Sequence, residues 1–287
     1  MKNIKYYLKK AQKEGFAIGQ FNFSDFTQMK AICEEAAELK SPFILGTSEG
    51  ESNFFGLREA VALRDVTRSN GLAVFLNLDH GKSVDYLKQA IDAGYDMVHF
   101  DGSKIPLEEN IKITKEVVKY AHKRGVIVEG EVGLIATDSS KLYSGKFEIK
   151  EENLTKPDEA VKYLKETKVD LLAVSIGNFH GIEISGIDPN LRIDLLRSIK
   201  EKTKNTFLVL HGGSGTPEDD IKEAIKNGIV KININTELRL AFSGNLRRAL
   251  NANQEEIVPY KFLLDAKNSV KGVVDRKINL FNSSNKI

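Results

Sequence analysis

The chain has 287 residues, 41% of them hydrophobic, with 42 basic and 40 acidic side chains and a formal net charge of +2. This length is ordinary for one α/β barrel and long for two small domains, and the apolar content suffices for one continuous core. Charges of both signs are spread along the chain with no basic block, so neither nucleic acid nor a membrane surface is implied as a partner.

The N-terminus, Met1-Lys2-Asn3-Ile4-Lys5, lacks the apolar core of a signal peptide. Nowhere do about 18 uncharged apolar residues run together, as a membrane span requires. The one cysteine, Cys33, lies in an amphipathic segment and has no partner for an intrachain disulfide. It reads as a small core residue of a protein kept in a reducing compartment, and the expectation is a cytoplasmic location.

In chain order, an opening helix ends near Gly15, and Ala17 to Phe21 forms a short apolar strand before a helix with Ser24 or Asp25 as N-cap. Strand Phe43 to Gly46 precedes a helix from Leu57 to Ser69, and strand Ala73 to Leu78 precedes a helix from Val84 to Ala93. Then come Met97 to Phe100, a helix from Leu107 to Arg124, and strand Val126 to Val132. A longer polar stretch, Ile135 to Thr155, separates that strand from a helix over Pro157 to Thr167. The last three strands are Leu171 to Ile176, Phe207 to Leu210 and Ile229 to Ile234, with helices over Leu191 to Thr203 and Pro217 to Asn227 between them.

These make eight strand candidates, read as apolar throughout and separated by helices. Such strands indicate a parallel sheet covered on its outer face. Eight units fit a closed (β/α)8 TIM barrel better than an open sheet, and no G-x-G-x-x-G stands between a first strand and helix. Two further helical stretches, Glu237 to Leu250 and Pro259 to Phe281, extend beyond the barrel, and no linker divides residues 1–287.

Three of the five histidines, His80, His180 and His211, each stand directly before a glycine just beyond a strand candidate. In a barrel the carboxyl ends of the strands converge on one face, so three imidazoles there would make a metal site with one open coordination place. The other two serve as controls. His99 lies inside a strand candidate as a barrel-filling residue, and His122 lies near a helix end, so neither is assigned to the site.

Asp79 precedes the first of the three histidines. Neighbours on a regular strand point to opposite faces, so both reach one site only if the chain turns, which Gly81 permits. A carboxylate there either moves a proton to or from substrate oxygen or orients a ligand. Glu129 and Glu131 share one side of their strand, where one carboxylate supports a metal or pairs with a barrel lysine. Lys231 reads as a charged residue at the start of the last strand; a Schiff-base role is the competing possibility. The loops His211-Gly212-Gly213-Ser214-Gly215 and Asn233-Ile234-Asn235-Thr236 follow the last two strands, the usual phosphate site of these barrels.

These residues resemble class II, metal-dependent fructose-bisphosphate and tagatose-bisphosphate aldolases. Asp79-His80-Gly81, Glu129 to Gly133, Asn178-Phe179-His180-Gly181, His211 to Gly215 and Asn233 to Thr236 occur in the family's order and spacing. Gln20-Phe21-Asn22 and Gly46-Thr47-Ser48-Glu49-Gly50 extend the likeness over essentially the whole chain.

The resemblance implies zinc held by His80, His180 and His211, with Glu131 near the metal and Asp79 as the acid/base at the cleaved bond. It implies that dihydroxyacetone phosphate lies on Gly181, on Gly212, Gly213 and Ser214, and on Asn233, Ile234, Asn235 and Thr236, with Asn22 and Ser48 facing the substrate. It also implies a monovalent cation near the phosphate and a homodimer or homotetramer. The activity implied is reversible cleavage of fructose 1,6-bisphosphate to dihydroxyacetone phosphate and glyceraldehyde 3-phosphate, a carbon–carbon lyase reaction. The alternatives are a tagatose-bisphosphate or other ketose-phosphate aldolase and, more remotely, a non-catalytic phosphosugar-binding barrel.

Three positions depart from the family pattern. Asn77 stands where the family often has histidine. The loop after Gly133 lacks the family's Gly-Gly pair and glutamate, and the nearest acid, Asp138, comes one position early. Asn235 occupies a place that is often aspartate in fructose-bisphosphate aldolases and alanine in tagatose-bisphosphate ones. Arg276 is a candidate for the second phosphate.

Overall fold

A computed structural model of the chain describes residues 2–136, 141–143, 149–183 and 190–287. It runs α1 (Ile4–Glu14), β1 (Ile18–Asn22), α2 (Phe26–Glu38), β2 (Phe43–Ser48), α3 (Glu49–Phe55), α4 (Leu57–Ser69), β3 (Val74–Gly81) and α5 (Val84–Ala93). There follow β4 (Met97–Phe100), α6 (Leu107–His122), β5 (Ile127–Val132), β6 (Leu142–Tyr143), α7 (Pro157–Thr167), β7 (Leu171–Val174) and β8 (Ile182–Glu183). The chain then continues through α8 (Ile193–Thr203), β9 (Phe207–Leu210), α9 (Glu218–Lys226), β10 (Ile229–Ile234), α10 (Thr236–Ala252) and α11 (Pro259–Leu280).

Eight of these strands close a parallel barrel in the order β1-β10-β9-β7-β5-β4-β3-β2, while β6 and β8 pair separately. This is the (β/α)8 architecture that the alternation of apolar strands and helices predicts. Local chemistry sets the helix ends. Asn3 accepts the Tyr6 N–H to start α1, and Gly15, at φ 68°, ends it by donating to the Ala11 carbonyl. Asp25, rather than Ser24, caps α2 by accepting the Gln28 N–H at 3.0 Å. Among the described residues no helix is long and apolar enough to cross a membrane. Cys33, on α2, lies 3.8 Å from Thr67 Oγ1, and burial pushes its thiol up to about 12.

The barrel interior departs from the expected strands that are apolar throughout. At the amino ends, Ile18, Ile44, Phe75, Met97, Ile127, Leu171 and Val230 pack with Tyr7 and Leu8 of α1, which plugs the barrel. Two residues further along, the strand period of two brings the buried polar groups Gln20, Asn77, His99 and Glu129 into the interior, and Lys231 joins them on β10, just past a register irregularity that follows Ile229. Asn77 donates to Gln20 Oε1 at 2.9 Å, and the Lys231 ammonium sits 2.8 Å from Glu129 Oε2. Lys231 is therefore an interior residue paired across the barrel, not a solvated charge at a strand end.

Two local differences shape the site. The segment after β2 is not a plain loop: Ser48 and Glu51 form a reciprocal capping box that opens α3. Strand β3 runs three residues past its apolar stretch, with a register shift against β4 between Leu78 and Gly81. The turn that lets neighbouring Asp79 and His80 face one site is made by His80 itself, at φ 51°, rather than by Gly81.

Candidate metal centre and active site

His80, His180 and His211 arrive from three different strand ends and meet on the barrel's carboxyl face. Their ring centroids are 4.7 Å apart for His80 and His180, 4.6 Å for His80 and His211, and 6.0 Å for His180 and His211. Together with Asp79 they line one pocket, with Gly181, Gly212, Ser214, Asn233, Asn235 and Thr236 completing its wall.

Outer partners set the tautomers. A carboxylate accepts only, so Asp101 Oδ2, 3.0 Å from His80 Nδ1, takes that nitrogen's proton in a hydrogen bond. Glu129 Oε1, 2.7 Å from His211 Nε2, does the same for His211. The remaining nitrogens, His80 Nε2 and His211 Nδ1, both carry lone pairs and face each other at 2.9 Å. Asn233 Nδ2, 3.3 Å from His211 Nδ1, is placed to donate to it. Two acceptors pointed at one spot beside a third imidazole suit a divalent cation. Burial holds His211 down to about 4, with the hydrogen bond to Glu129 opposing it, so its ring is neutral and able to ligate near pH 7. Burial and the neighbouring histidines keep His180 well below the ordinary histidine range as well.

His99 belongs to this cluster, contrary to its reading as mere barrel filling. Its Nδ1 accepts the His80 backbone N–H at 3.2 Å, which leaves the proton on Nε2, 3.4 Å from Glu131 Oε2. Asp79, His80, His99 and His211 bring potential ligand atoms within 4.8 Å of one another. The two carboxylates of β5 separate in role. Glu129 pairs with Lys231 and His211, which outweigh burial and hold it low. Burial and the Asp101 charge raise Glu131, which lies 4.0 Å from His80 Nδ1.

Asp79 is gripped at both oxygens. Asn22 Nδ2 donates to Oδ2 at 2.9 Å and Asn233 Nδ2 to Oδ1 at 2.9 Å. Burial raises its pKa, but His80, His99, His211 and Lys231 outweigh that and keep it well below the ordinary carboxylate range. It is therefore ionised, an acceptor at both oxygens.

The glycine-rich turn after β9 is built for close approach. Gly212 sits at φ 67°, and a side chain there would run into the Phe179 carbonyl. Gly213 gives its N–H to the Asn233 carbonyl at 3.2 Å and does not line the pocket. Ile234 is buried in the apolar core, so only its backbone remains for a ligand. Glu237 Oε1 accepts the Gly215 N–H at 2.9 Å and pairs with buried Lys277 at 2.6 Å, tying the turn to α10 and α11.

A matching family profile, described as Fructose-bisphosphate aldolase class-II, covers residues 2–286. The chain belongs to the class II fructose-bisphosphate aldolase family. Among similar relatives are fructose-bisphosphate aldolases of Streptococcus pyogenes serotype M3, 37% identical, and of Helicobacter pylori strain J99, 35% identical. In each comparison 98% of this chain and 97% of the relative are covered. The solved YdjI aldolase of Escherichia coli K12 superposes with a TM-score of 0.82 at 29% identity, over 99% of this chain and 98% of that one.

An outer cleft of about 360 Å³ leads from this aldolase-family site to solvent, lined by Ser48, Asp101, Lys82, Lys104, Asn235 and Arg239 among others. Arg276 lies exposed on α11 and lines neither cavity. Asp138 falls outside the described residues. Sequence reasoning missed Glu51, Asp101, Lys277 and Arg239. Of these, Glu51 had a readable signal, the Ser-x-x-Glu of its capping box.

Proposed function

We propose that the chain is a zinc-dependent aldolase that cleaves fructose 1,6-bisphosphate to dihydroxyacetone phosphate and glyceraldehyde 3-phosphate. The observation that carries this reading is one pocket in which the doubly held Asp79 carboxylate stands beside three histidines and two phosphate-type loops.

His80, His180 and His211 would hold the metal, with Asp101 and Glu129 fixing the His80 and His211 rings from behind. Bound zinc supplies Lewis-acid stabilisation of charge developing on substrate oxygen. The phosphate of the dihydroxyacetone phosphate half lies on Gly212 and Ser214 and at the N-terminus of α10, where Thr236 begins the helix. Asp79 takes the proton of the C4 hydroxyl. The O–H electron pair becomes the new C4 carbonyl bond as C3–C4 breaks, and the electrons of the broken bond pass to C3 and toward the C2 oxygen. Asn22 and Asn233 keep the carboxylate aimed during this transfer. Return of a proton to C3 is assigned to an acid of the segment after Gly133, with Asp138 the nearest candidate in the sequence.

A coupled assay on fructose 1,6-bisphosphate and its C4 epimer, with and without added zinc, tests the reading. Zinc-dependent cleavage faster on the fructose substrate supports it. Full activity after chelation, or no cleavage of either epimer, rejects it.

We also propose a homo-oligomer. Phe26 (54% exposed), Tyr260 (76%) and Leu264 (50%) line an apolar cleft between α2 and α11 that a second copy would cover. Sedimentation of the purified enzyme checks this, and a strict monomer at micromolar concentration rejects it.

A further inference from the structure

Glu51 is almost fully buried, yet the capping of α3 accounts for only part of its bonding. Its Oε2 accepts the Ser48 N–H at 2.8 Å, which is the cap, and also Asn22 Nδ2 at 3.1 Å. Its Oε1 accepts Asn235 Nδ2 at 3.2 Å and Arg239 Nη2 at 2.6 Å. Four donors thus converge on one carboxylate, two of them from the loop and helix that follow β10.

Asn22 connects this carboxylate to the chemistry. The same Nδ2 that donates to Glu51 donates to Asp79 Oδ2 at 2.9 Å, while Asn22 Oδ1 accepts Gln20 Nε2 at 3.1 Å. The Gln20 amide is oriented in turn by Asn77, which donates to its Oε1 at 2.9 Å. An amide caught between an acceptor-only carboxylate and an N–H donor has one satisfactory orientation, with its nitrogen toward Asp79. Turned over, Asn22 would set its oxygen against two carboxylates.

We propose that Glu51 is a positioning residue for the aldol reaction. It fixes the Asn22 amide that aims Asp79, and through Asn235 and Arg239 it ties that aim to the mouth of the substrate cleft. The assignment rests on the aldolase reading above. Without that carboxylate the Asn22 amide is held by two partners instead of three, Asp79 and Gln20, and the donor that aims Asp79 Oδ2 is less firmly placed. Misplacement of this kind costs up to about 100-fold in rate.

The test is a double-variant cycle on the metal-loaded enzyme, reading kcat, KM, thermal midpoint and metal content for Glu51→Ala, Asn22→Ala and the pair. The expected result is a fall in kcat of about 10- to 100-fold for Glu51→Ala with metal content unchanged. In the Asn22→Ala background the same substitution has no further effect on kcat, because the group it acts through is gone. Should Glu51→Ala fail to fold, Glu51→Asp keeps a carboxylate in the first turn of α3 but withdraws it by one methylene, and the same pattern is expected. An unchanged kcat per folded enzyme, or losses that add in full, means that Glu51 only caps α3 and overturns the assignment. A wild-type enzyme that cleaves no ketose phosphate overturns the functional reading and this assignment with it.

Discussion

Nε2 of His80 and Nδ1 of His211 face each other across 2.9 Å although the residues stand 131 positions apart in the chain. Each ring donates its proton to a carboxylate behind it, Asp101 or Glu129, so both facing nitrogens are acceptors. A cation between them satisfies both. Chelation is therefore expected to abolish cleavage, and zinc to restore it. Asp101→Asn, which weakens the grip on the His80 ring, should lower metal affinity about 10- to 100-fold in competition with a chromophoric chelator. Unchanged affinity would count against the tautomer argument.

Asp79→Asn removes the proton acceptor while keeping the shape of the residue. We expect kcat to fall about 10²- to 10⁴-fold with the metal content per chain unaltered. Loss of the metal along with activity would instead make Asp79 a ligand-orienting group.

Lys231 and Glu129 form an ion pair with no exposure on either side chain. Breaking such a pair strands a buried charge and costs about 3–5 kcal/mol. Lys231→Met should accordingly lower the thermal midpoint sharply. Because the ammonium is committed to Glu129 and Asn233, borohydride with substrate should trap no adduct on the wild-type enzyme. A trapped adduct on Lys231 would revive a Schiff-base mechanism.

At the other end of the barrel, burial raises the pKa of Asp170, but Lys5, the Val128 N–H and His122 outweigh it and hold the carboxylate low. A depressed folded value means that the stabilisation is fully present above the unfolded carboxylate value of about 3.9 and is lost as pH falls toward the folded value. Asp170→Asn should lower the thermal midpoint at neutral pH and flatten its decline below about pH 4. A parallel decline in both proteins would contradict this.

Gly212→Ala places a side chain at a positive φ and against the Phe179 carbonyl. The turn must shift, so the expectation is a raised KM for phosphorylated substrate and a stability loss above about 1 kcal/mol. Normal KM with normal stability would show that the turn does not cradle the phosphate.

Much of the fold was legible because the barrel strands are short apolar runs between amphipathic helices, a pattern with one common closed solution. The three histidines were legible because each follows a strand directly, and topology alone carries strand ends to one face. His99 fills the barrel as its place inside a strand suggests, but that place says nothing about which side chains of other strands surround it. Only the alternation Met97, His99 against Phe75, Asn77, Asp79 places it inward, among carboxylates. The long reach of Arg239 to Glu51, 188 positions apart, left no mark in either local segment.

By itself, the sequence determined the order of strands and helices, the strand-end histidines, the Asp79 beside the first of them, and the glycine-rich turn. These are local properties, written in periodicity, residue type and neighbours. Closure of the barrel decided the rest: which carboxylate stands behind which imidazole, that Lys231 is buried against Glu129, and that Glu51 reaches Asp79 through Asn22. Those pairings join side chains from non-adjacent strands across the interior. Their energies depend on distance and on exclusion of water, and both exist only once the chain is folded.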